Sequence, residues 1–194
     1  MATPNTANIF VGAPDQTTTG AIFTAAVGSA APTDAVTALA AAYTSSGYVS
    51  DQGVQLTPNL STNDLRDWSG KVVRRLKTSF DGTISFELLE LSEESAKQAF
   101  GDSAVTVTAA NTTHGKQLAI KMTGDLPEAK AWAFNIKDGV RKARIFCPNA
   151  QVTSFPSMTF NIDDAIKLPV EITCYPDSSG VHIYIFTDDG VTTA

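Results

Sequence analysis

The sequence predicts a mainly β fold of the sandwich or barrel type, and two features of its pattern favour this class. Apolar and polar residues alternate in short segments along much of the chain, as they do in half-buried strands. Turn-forming Gly, Pro, Asn and Asp separate these segments. Six or more short strands joined in this way, with few helices, are typical of β-sandwiches and β-barrels. Beyond residue 101 the predicted strands cover 105–107, 118–122, 132–136, 140–146, 158–162, 166–174 and 181–186.

The first 65 residues differ from the rest because they are rich in Ala, Thr, Ser and Gly and hold few large apolar side chains. Such a segment cannot form a core by itself, so we expect a single domain over residues 1–194. Within it we predict an N-terminal arm at 1–19, a strand at 21–27, a short helix at about 34–43 and a long loop at 47–69. A loop of this length is usually functional or ordered by a partner.

The segment 68–101 predicts a β-hairpin followed by a short helix. Asp81-Gly82 is a two-residue turn signal between two strand patterns, and Asp138-Gly139 is a second signal of the same kind. Ser92 is a good N-cap for a flanking helix at about 92–100. So short a helix is not stable alone, and its apolar residues must therefore pack on the sheet.

The first strand of this hairpin carries cations on both faces. Lys71, Val73, Arg75 and Lys77 share one face, and Val72, Arg74 and Leu76 share the other. Long cationic side chains are rarely buried without partners. This pattern favours an edge strand, or a strand covered by another subunit, over the centre of a buried sheet.

Charge is unevenly distributed along the chain. The formal net charge is -6, the first 65 residues hold four acids and no Lys or Arg, and 13 of the 14 basic residues lie between Arg66 and Arg144. A net acidic chain is a poor nucleic-acid binder, because affinity for phosphates comes from many Lys and Arg contacts. The basic middle segment has two interpretations, a solvated strand surface or a surface that meets the acidic segments of a second copy.

The sequence contains no motif that indicates catalysis, a cofactor or a metal. The two histidines, His114 and His182, lie outside any zinc-ligand spacing, and no Gly-rich phosphate loop follows a strand. Cys147 and Cys174 both lie in apolar strand patterns, where reduced core thiols are favoured over a disulfide and indicate a reducing cytoplasm. No apolar run is long enough to span a membrane, and the first residues do not resemble a secretion signal.

Four motifs, in this order, resemble the major tail tube proteins of long, non-contractile-tailed bacteriophages, the siphovirus major tail proteins. They are TGAIFTAAVGSAAPTDA at 19–35, GYVSDQGV at 47–54, DLRDWSGKVVRRLKTS at 64–79 and FELLELSEESAKQAFG at 86–101. The resemblance implies a β-sandwich or barrel with a flanking helix. It also implies self-assembly into hexameric rings, which stack to form the conduit for DNA.

The resemblance further implies a structural virion protein with no catalytic activity and no cofactor, assembled in the host cytoplasm and located in the virion tail. Its implied partners are other copies, the tape measure protein, the tail terminator and the distal tail protein, while DNA passes without specific binding. Under this interpretation the basic hairpin joins one subunit to the next. The predicted interface residues are Trp68, Lys71, Arg74, Arg75, Lys77, Glu87 and Glu90.

Two other classes of protein remain as alternatives. A carbohydrate-binding or adhesin-type β-sandwich would be a stable monomer with an exposed aromatic platform. Most aromatic residues here occupy alternating positions typical of a core, namely Phe86, Phe100, Phe134, Phe146 and Phe160. An enzyme on a β scaffold would need a pocket with perturbed ionisable groups, and the sequence identifies none.

Overall fold

The structure is a computed structural model that describes residues 4, 9–15 and 20–192. It confirms the mainly β prediction: within these residues the chain forms eleven strands, one α-helix and one 3₁₀ turn at Asp102–Ala104. The helix, α1, covers Glu93–Phe100. The strands are β1 Ala13–Pro14, β2 Ile22–Ala26, β3 Thr44–Ser45, β4 Val49–Arg66, β5 Val72–Leu88, β6 Val105–Thr108, β7 Gln117–Ile120, β8 Lys130–Asp138, β9 Arg141–Ser154, β10 Leu168–Cys174 and β11 Tyr184–Asp188.

Nine of these strands form one antiparallel sheet in the order β3-β2-β8-β9-β10-β5-β4, in which β1 also pairs with β8 and β11 with β9. The strands β6 and β7 form a separate hairpin. The turn predicted at Asp138-Gly139 forms one residue later, at Gly139-Val140, because Asp138 faces Arg141 across the end of the β8–β9 hairpin. Gly139 has a φ of 61° there, a conformation that glycine adopts without strain.

The first hydrophobic core lies where β5 and β10 face β8 and β9. Its centre is aromatic, with the ring of Phe86 at 5.5 Å from the ring centroids of both Trp132 and Phe134. Each of these three side chains is 3% exposed or less. Aromatic side chains bury more apolar area than other residues, so this cluster contributes strongly to holding the two parts of the sheet together.

The second hydrophobic core lies on the other side of β8, whose alternate residues Ala131 and Ala133 face it. Phe146 and Tyr43 are buried in this core, and Leu39 packs against them. Because β8 is covered on both faces, it is the central strand of the body, the part of the subunit that contains the two hydrophobic cores. The cysteines Cys147 and Cys174 belong to the first core, where they are free thiols with Sγ atoms 3.1 Å apart.

The helix α1 confirms the prediction at 92–100. Ser92 is its N-cap, and the side chains of Ser92 and Ser95 form a reciprocal capping box with each other's backbone N–H groups. Ala96 and Ala99 are buried, so the helix packs on the sheet as its length requires. Among the described residues no helix is long and apolar enough to cross a membrane.

The helix predicted at 34–43 is wrong, and a buried arginine explains why. Arg144 is 4% exposed, and its Nη1 donates hydrogen bonds of 2.9 Å to the backbone oxygens of Asp34 and Thr37. Those oxygens are therefore bonded to a guanidinium instead of to N–H groups four residues later. Burial of Arg144 also lowers the pKa of its guanidinium. Tyr43 and Leu39 reach the second core without helical turns, whereas Val36, which the predicted helix would place on the same face, is 50% exposed.

The turn predicted at Asp81-Gly82 is also wrong, because β5 runs straight through both residues. Gly82 lies opposite Pro58 on one side and Cys174 on the other. A Cβ atom at Gly82 would lie 2.5 Å from Cδ1 of Ile183, so this glycine permits close packing and forms no turn.

Most of the loop predicted at 47–69 is the strand β4, which pairs with β5 over almost its whole length. Pro58 and Asn59 indicated a loop, but β4 is the last strand of the sheet order, where a proline is tolerated. The predicted strand at 158–162 is wrong in the opposite sense, because these residues form no strand. Phe160, predicted to be in the core, is 66% exposed.

The predicted N-terminal arm at 1–19 lies partly outside the described residues. Residues 9–15 of this arm lie on the β8–β9 hairpin of their own subunit. Ala13 of β1 faces Lys137, and the Val11 N–H donates to the Asp138 carboxylate at 3.0 Å. This part of the predicted arm is therefore attached to the body.

Candidate assembly interface

The far ends of β4 and β5 extend beyond the sheet as a two-stranded ribbon, residues 59–81, called here the ribbon. The pairing of β5 with β10 stops at Gly82 and Cys174, and beyond that point β5 is paired only with β4, from Asn59–Asp81 to Arg66–Val72. Eight residues of β4 span roughly 25 Å at about 3.3 Å per residue. An isolated two-stranded hairpin is only marginally stable in water, so a ribbon of this length indicates a surface that other chains cover.

The turn at the end of the ribbon is built around Asp67. Its Oδ1 accepts hydrogen bonds from the Ser69 hydroxyl at 2.7 Å and from the Lys71 N–H at 2.9 Å. These bonds hold the pKa of the Asp67 carboxyl below its usual value. Gly70 provides the positive φ of 84° that the turn requires. The end of the ribbon is therefore locally ordered.

Six large apolar side chains are exposed on the ribbon. They are Leu60 at 59%, Leu65 at 52%, Trp68 at 105%, Val72 at 45%, Val73 at 60% and Leu76 at 41%. Single exposed apolar residues are normal on a protein surface, but a cluster of this size marks an interaction site. Tryptophan is also one of the residues that contribute most to binding energy in protein interfaces.

The ribbon also concentrates positive charge, with five cations and three acids in its 23 residues. Arg75 Nε lies 2.8 Å from Asp64 Oδ1, and this hydrogen bond lowers the pKa of the Asp64 carboxyl and raises that of Arg75. Lys77 lies over the ring of Phe80 at 5.8 Å. Among the described residues, neither Lys71 nor Arg74 forms an ion pair. Their charges are available to a second chain.

The structure brings five of the seven predicted interface residues together on the ribbon: Trp68, Lys71, Arg74, Arg75 and Lys77. It does not bring the other two there. Glu87 lies on the part of β5 that pairs with β10. Glu90 follows β5, and its Oε1 accepts a 2.9 Å hydrogen bond from the Tyr48 N–H. The role of all seven residues in subunit contact remains a prediction.

Sequence reasoning missed the apolar residues that β4 contributes to the ribbon, Leu60 and Leu65. They lie in the segment interpreted as a loop. A signal was present, because Val54, Leu56 and Leu60 keep the even spacing of a strand. The turn-forming residues between them obscured it.

Reversing the charge of Arg74 and Arg75 together, to Arg74→Glu and Arg75→Glu, is expected to impair self-association much more than folding. Both side chains lie on the exposed ribbon, so their replacement leaves both cores unchanged. Sedimentation velocity measures the association, and the Tm of the unassembled chain measures folding.

The matched control is the double variant Lys121→Glu with Lys137→Glu. It changes the net charge by the same amount, but at positions that lie outside the ribbon. Arg74→Glu alone keeps the Asp64–Arg75 pair, which separates loss of that pair from loss of a contact with another chain. Normal polymers from the double variant would show that the basic strand is only a solvated surface.

The fold and this surface define the class of protein: a β subunit that presents an exposed, apolar and basic ribbon to other chains. Among the described residues, no cluster of three or more His, Cys, Asp or Glu side chains could hold a metal ion.

The chain belongs to the phage tail tube proteins, since the family model with the description "Phage tail tube protein" matches residues 3–193. The resemblance to tail tube proteins is thereby confirmed. The protein is a structural component of the phage virion tail and not an enzyme.

A solved structure similar to this chain is the cap of the anti-feeding prophage, described as a tube terminating cap and determined by cryo-electron microscopy. It is 12% identical, the match covers 93% of this chain and 96% of that one, and the TM-score is 0.45. A search of curated proteins finds no match.

Proposed function

We propose that this chain self-assembles into hexameric rings, and that the stacked rings form the tail tube of a long, non-contractile-tailed phage. The observation that carries this proposal is the ribbon. It extends from the sheet with both strands exposed and carries six exposed apolar side chains. Among the described residues, its cover in its own subunit is limited to its base, where Phe80 contacts His182. Association with further copies removes this apolar surface from water.

Edge-to-edge joining of sheets supports the ring. Among the described residues β4 pairs only with β5 from Val54 to Arg66, so one edge of the strand is free over that part. A long free edge is a template for another strand. Repeated head-to-tail contact between identical subunits closes into a ring when the rotation permits, and every subunit edge is then paired.

We further propose that the outer face of the sheet around β5 and β10 lines the DNA channel. Along each strand, the side chains on this face alternate with the buried side chains of the first core, and apart from Pro169 they are polar. Its residues are Gln55, Thr57, Thr83, Ser85, Glu87, Gln151, Thr153, Pro169, Glu171 and Thr173. These residues include no Lys or Arg and two acids, and Lys167, which borders the face beside Glu87, is paired with Asp164. The face therefore repels phosphates and binds DNA weakly. A channel lined mainly by Lys and Arg in an assembled tube would contradict this assignment.

The partners proposed for the assembled tube are the tape measure protein within the lumen, and the tail terminator and the distal tail protein at its ends. Family membership supports these partners, since a tail tube functions within a complete tail. Assembly takes place in the host cytoplasm. The free thiols of Cys147 and Cys174 are compatible with that reducing environment.

Negative-stain electron microscopy of the purified chain at high concentration tests the proposal. We expect rings with six-fold symmetry, or tubes built from them, together with a concentration-dependent increase in sedimentation coefficient. A chain that remains monomeric and binds glycans would instead favour the carbohydrate-binding alternative, for which the fully exposed Trp68 would be the contact residue.

A further inference from the structure

We propose that the segment 157–163 of one copy is the binding site for the ribbon of the next copy along the tube axis. This inference rests on the proposed function and identifies the contact between successive subunits. Three observations carry it: an unpaired segment with the pattern of a strand, its position relative to the ribbon, and the charges around it.

The segment 157–163 has a strand pattern without a strand partner. Met158, Phe160 and Ile162 alternate with polar residues, which predicts a half-buried strand. Met158 packs partly against the first core, but Phe160 is 66% exposed and Ile162 is 97% exposed. A strand pattern that forms no strand in the subunit, with its apolar side chains exposed, indicates a surface completed by another chain.

The segment and the ribbon lie at opposite ends of the same strand pair. The pairing of β10 with β5 begins at Leu168–Leu88, separated from the end of the segment by four residues, and ends at Cys174–Gly82, where the ribbon begins. Six residues of strand separate these two ends, roughly 20 Å at about 3.3 Å per residue. The two surfaces of one copy therefore face in opposite directions along the strands, as head-to-tail stacking of identical subunits requires.

The end of the sheet that carries the segment is acidic, whereas the ribbon is basic. Asp163 is exposed and has no ion-pair partner among the described residues, and Asp164 lies 2.9 Å from Lys167. Asp164, followed by Glu87 and Asp51, raises the pKa of the Lys167 ammonium, which places three acids around this single lysine.

Opposite charges at the two ends select the head-to-tail orientation. A ribbon that carries Lys71 and Arg74 without ion pairs matches an acidic acceptor, while contact between two ribbons or between two acidic ends brings like charges together. Both surfaces also carry exposed apolar residues. Trp68 and Leu65 on the ribbon, and Phe160 and Ile162 on the segment, lose contact with water when the two surfaces bind.

Photochemical cross-linking from position 162 tests the inference. Ile162 is replaced by benzoylphenylalanine, and its 97% exposure means that the larger side chain leaves the fold unchanged. Equal amounts of ¹⁵N-labelled and unlabelled chains are assembled, irradiated and analysed by mass spectrometry. We expect mixed-isotope cross-links between position 162 and residues 59–81 of another copy.

Benzoylphenylalanine at Val140 is the matched control, since this residue is 73% exposed in the β8–β9 turn, and we expect no cross-link from it to the ribbon. Electron microscopy of the same samples separates the two proposals. Tubes in which position 162 cross-links only to other regions, or to none, overturn this inference alone. Absence of polymers at any concentration overturns the proposed function and this inference together.

Discussion

A chain in which residues 61–79 are replaced by Asn-Gly is expected to fold normally and to form no polymers. The replacement joins Leu60 to Phe80, which already face each other across the two strands. Asn-Gly is the preferred sequence for a two-residue hairpin turn. The base of the ribbon is retained, including the contact of the Phe80 ring with the His182 ring at 5.1 Å. Only the free part of the ribbon is lost.

The expected result has a clear physical reason. The excised part carries five of the six exposed apolar side chains and all five cations of the ribbon, while both hydrophobic cores lie elsewhere. Electron microscopy and sedimentation measure assembly, and near-UV circular dichroism with thermal unfolding measures the fold.

A shortened β6–β7 connection, with residues 110–115 replaced by Asn-Gly, controls for the effect of removing a surface segment, and we expect it to assemble. Tubes of normal diameter from the excised chain would contradict a role for the ribbon in subunit contact.

The substitution Phe86→Ala is expected to lower the free energy of unfolding by about 3–5 kcal/mol, the usual range for removal of a buried aromatic ring. Phe86 is 3% exposed and contacts two further rings at the centre of the first core, so its loss leaves a cavity that these rigid neighbours fill poorly. Urea denaturation of the unassembled chain measures the change. Phe86→Leu, which keeps most of the side-chain volume, is expected to lower the free energy of unfolding by about 1.5 kcal/mol. This variant allows the change to be measured if the alanine variant does not fold.

Phe160→Ala is the matched control for this loss of an aromatic ring. Phe160 is 66% exposed, so we expect the free energy of unfolding to change by less than about 0.5 kcal/mol. Equal losses for Phe86→Ala and Phe160→Ala would contradict the position of the first core.

The parts of the fold that depend on local chemistry could be predicted from the sequence. Apolar residues at every second position predicted β8 and β10, because successive side chains of a strand point to opposite faces of the sheet. The helix α1 was predicted because its N-cap Ser92 lies within a few residues of the groups it bonds. In both cases the information lies in neighbouring residues.

The wrong predictions have long-range causes. The residues at 34–37 are held by Arg144, more than a hundred residues later in the chain. Gly82 is a glycine because Ile183 packs against it, although the pair Asp81-Gly82 has the sequence of a turn. No pattern within either segment contains this information.

The candidate interface was predictable only in part, because some of its features depend on neighbouring residues and others on distant ones. The cations of 71–77 are adjacent in sequence, so their clustering was visible, whereas the length of the ribbon depends on where β10 stops pairing with β5. The hydrogen bond from the Tyr48 N–H to Glu90 joins distant residues. The sequence therefore could not place Glu90 beside the body instead of on the ribbon.

The pairing of β2 with β8 has a consequence for how the chain folds. Ile22 faces Phe134, so the sheet closes only after more than a hundred intervening residues have been brought together, a step with a large loop-closure entropy. The β4–β5 hairpin needs only a short turn and forms among residues close in sequence. Folding speed is therefore set by closure of the body, while the ribbon can form early, before the subunit that carries it is complete.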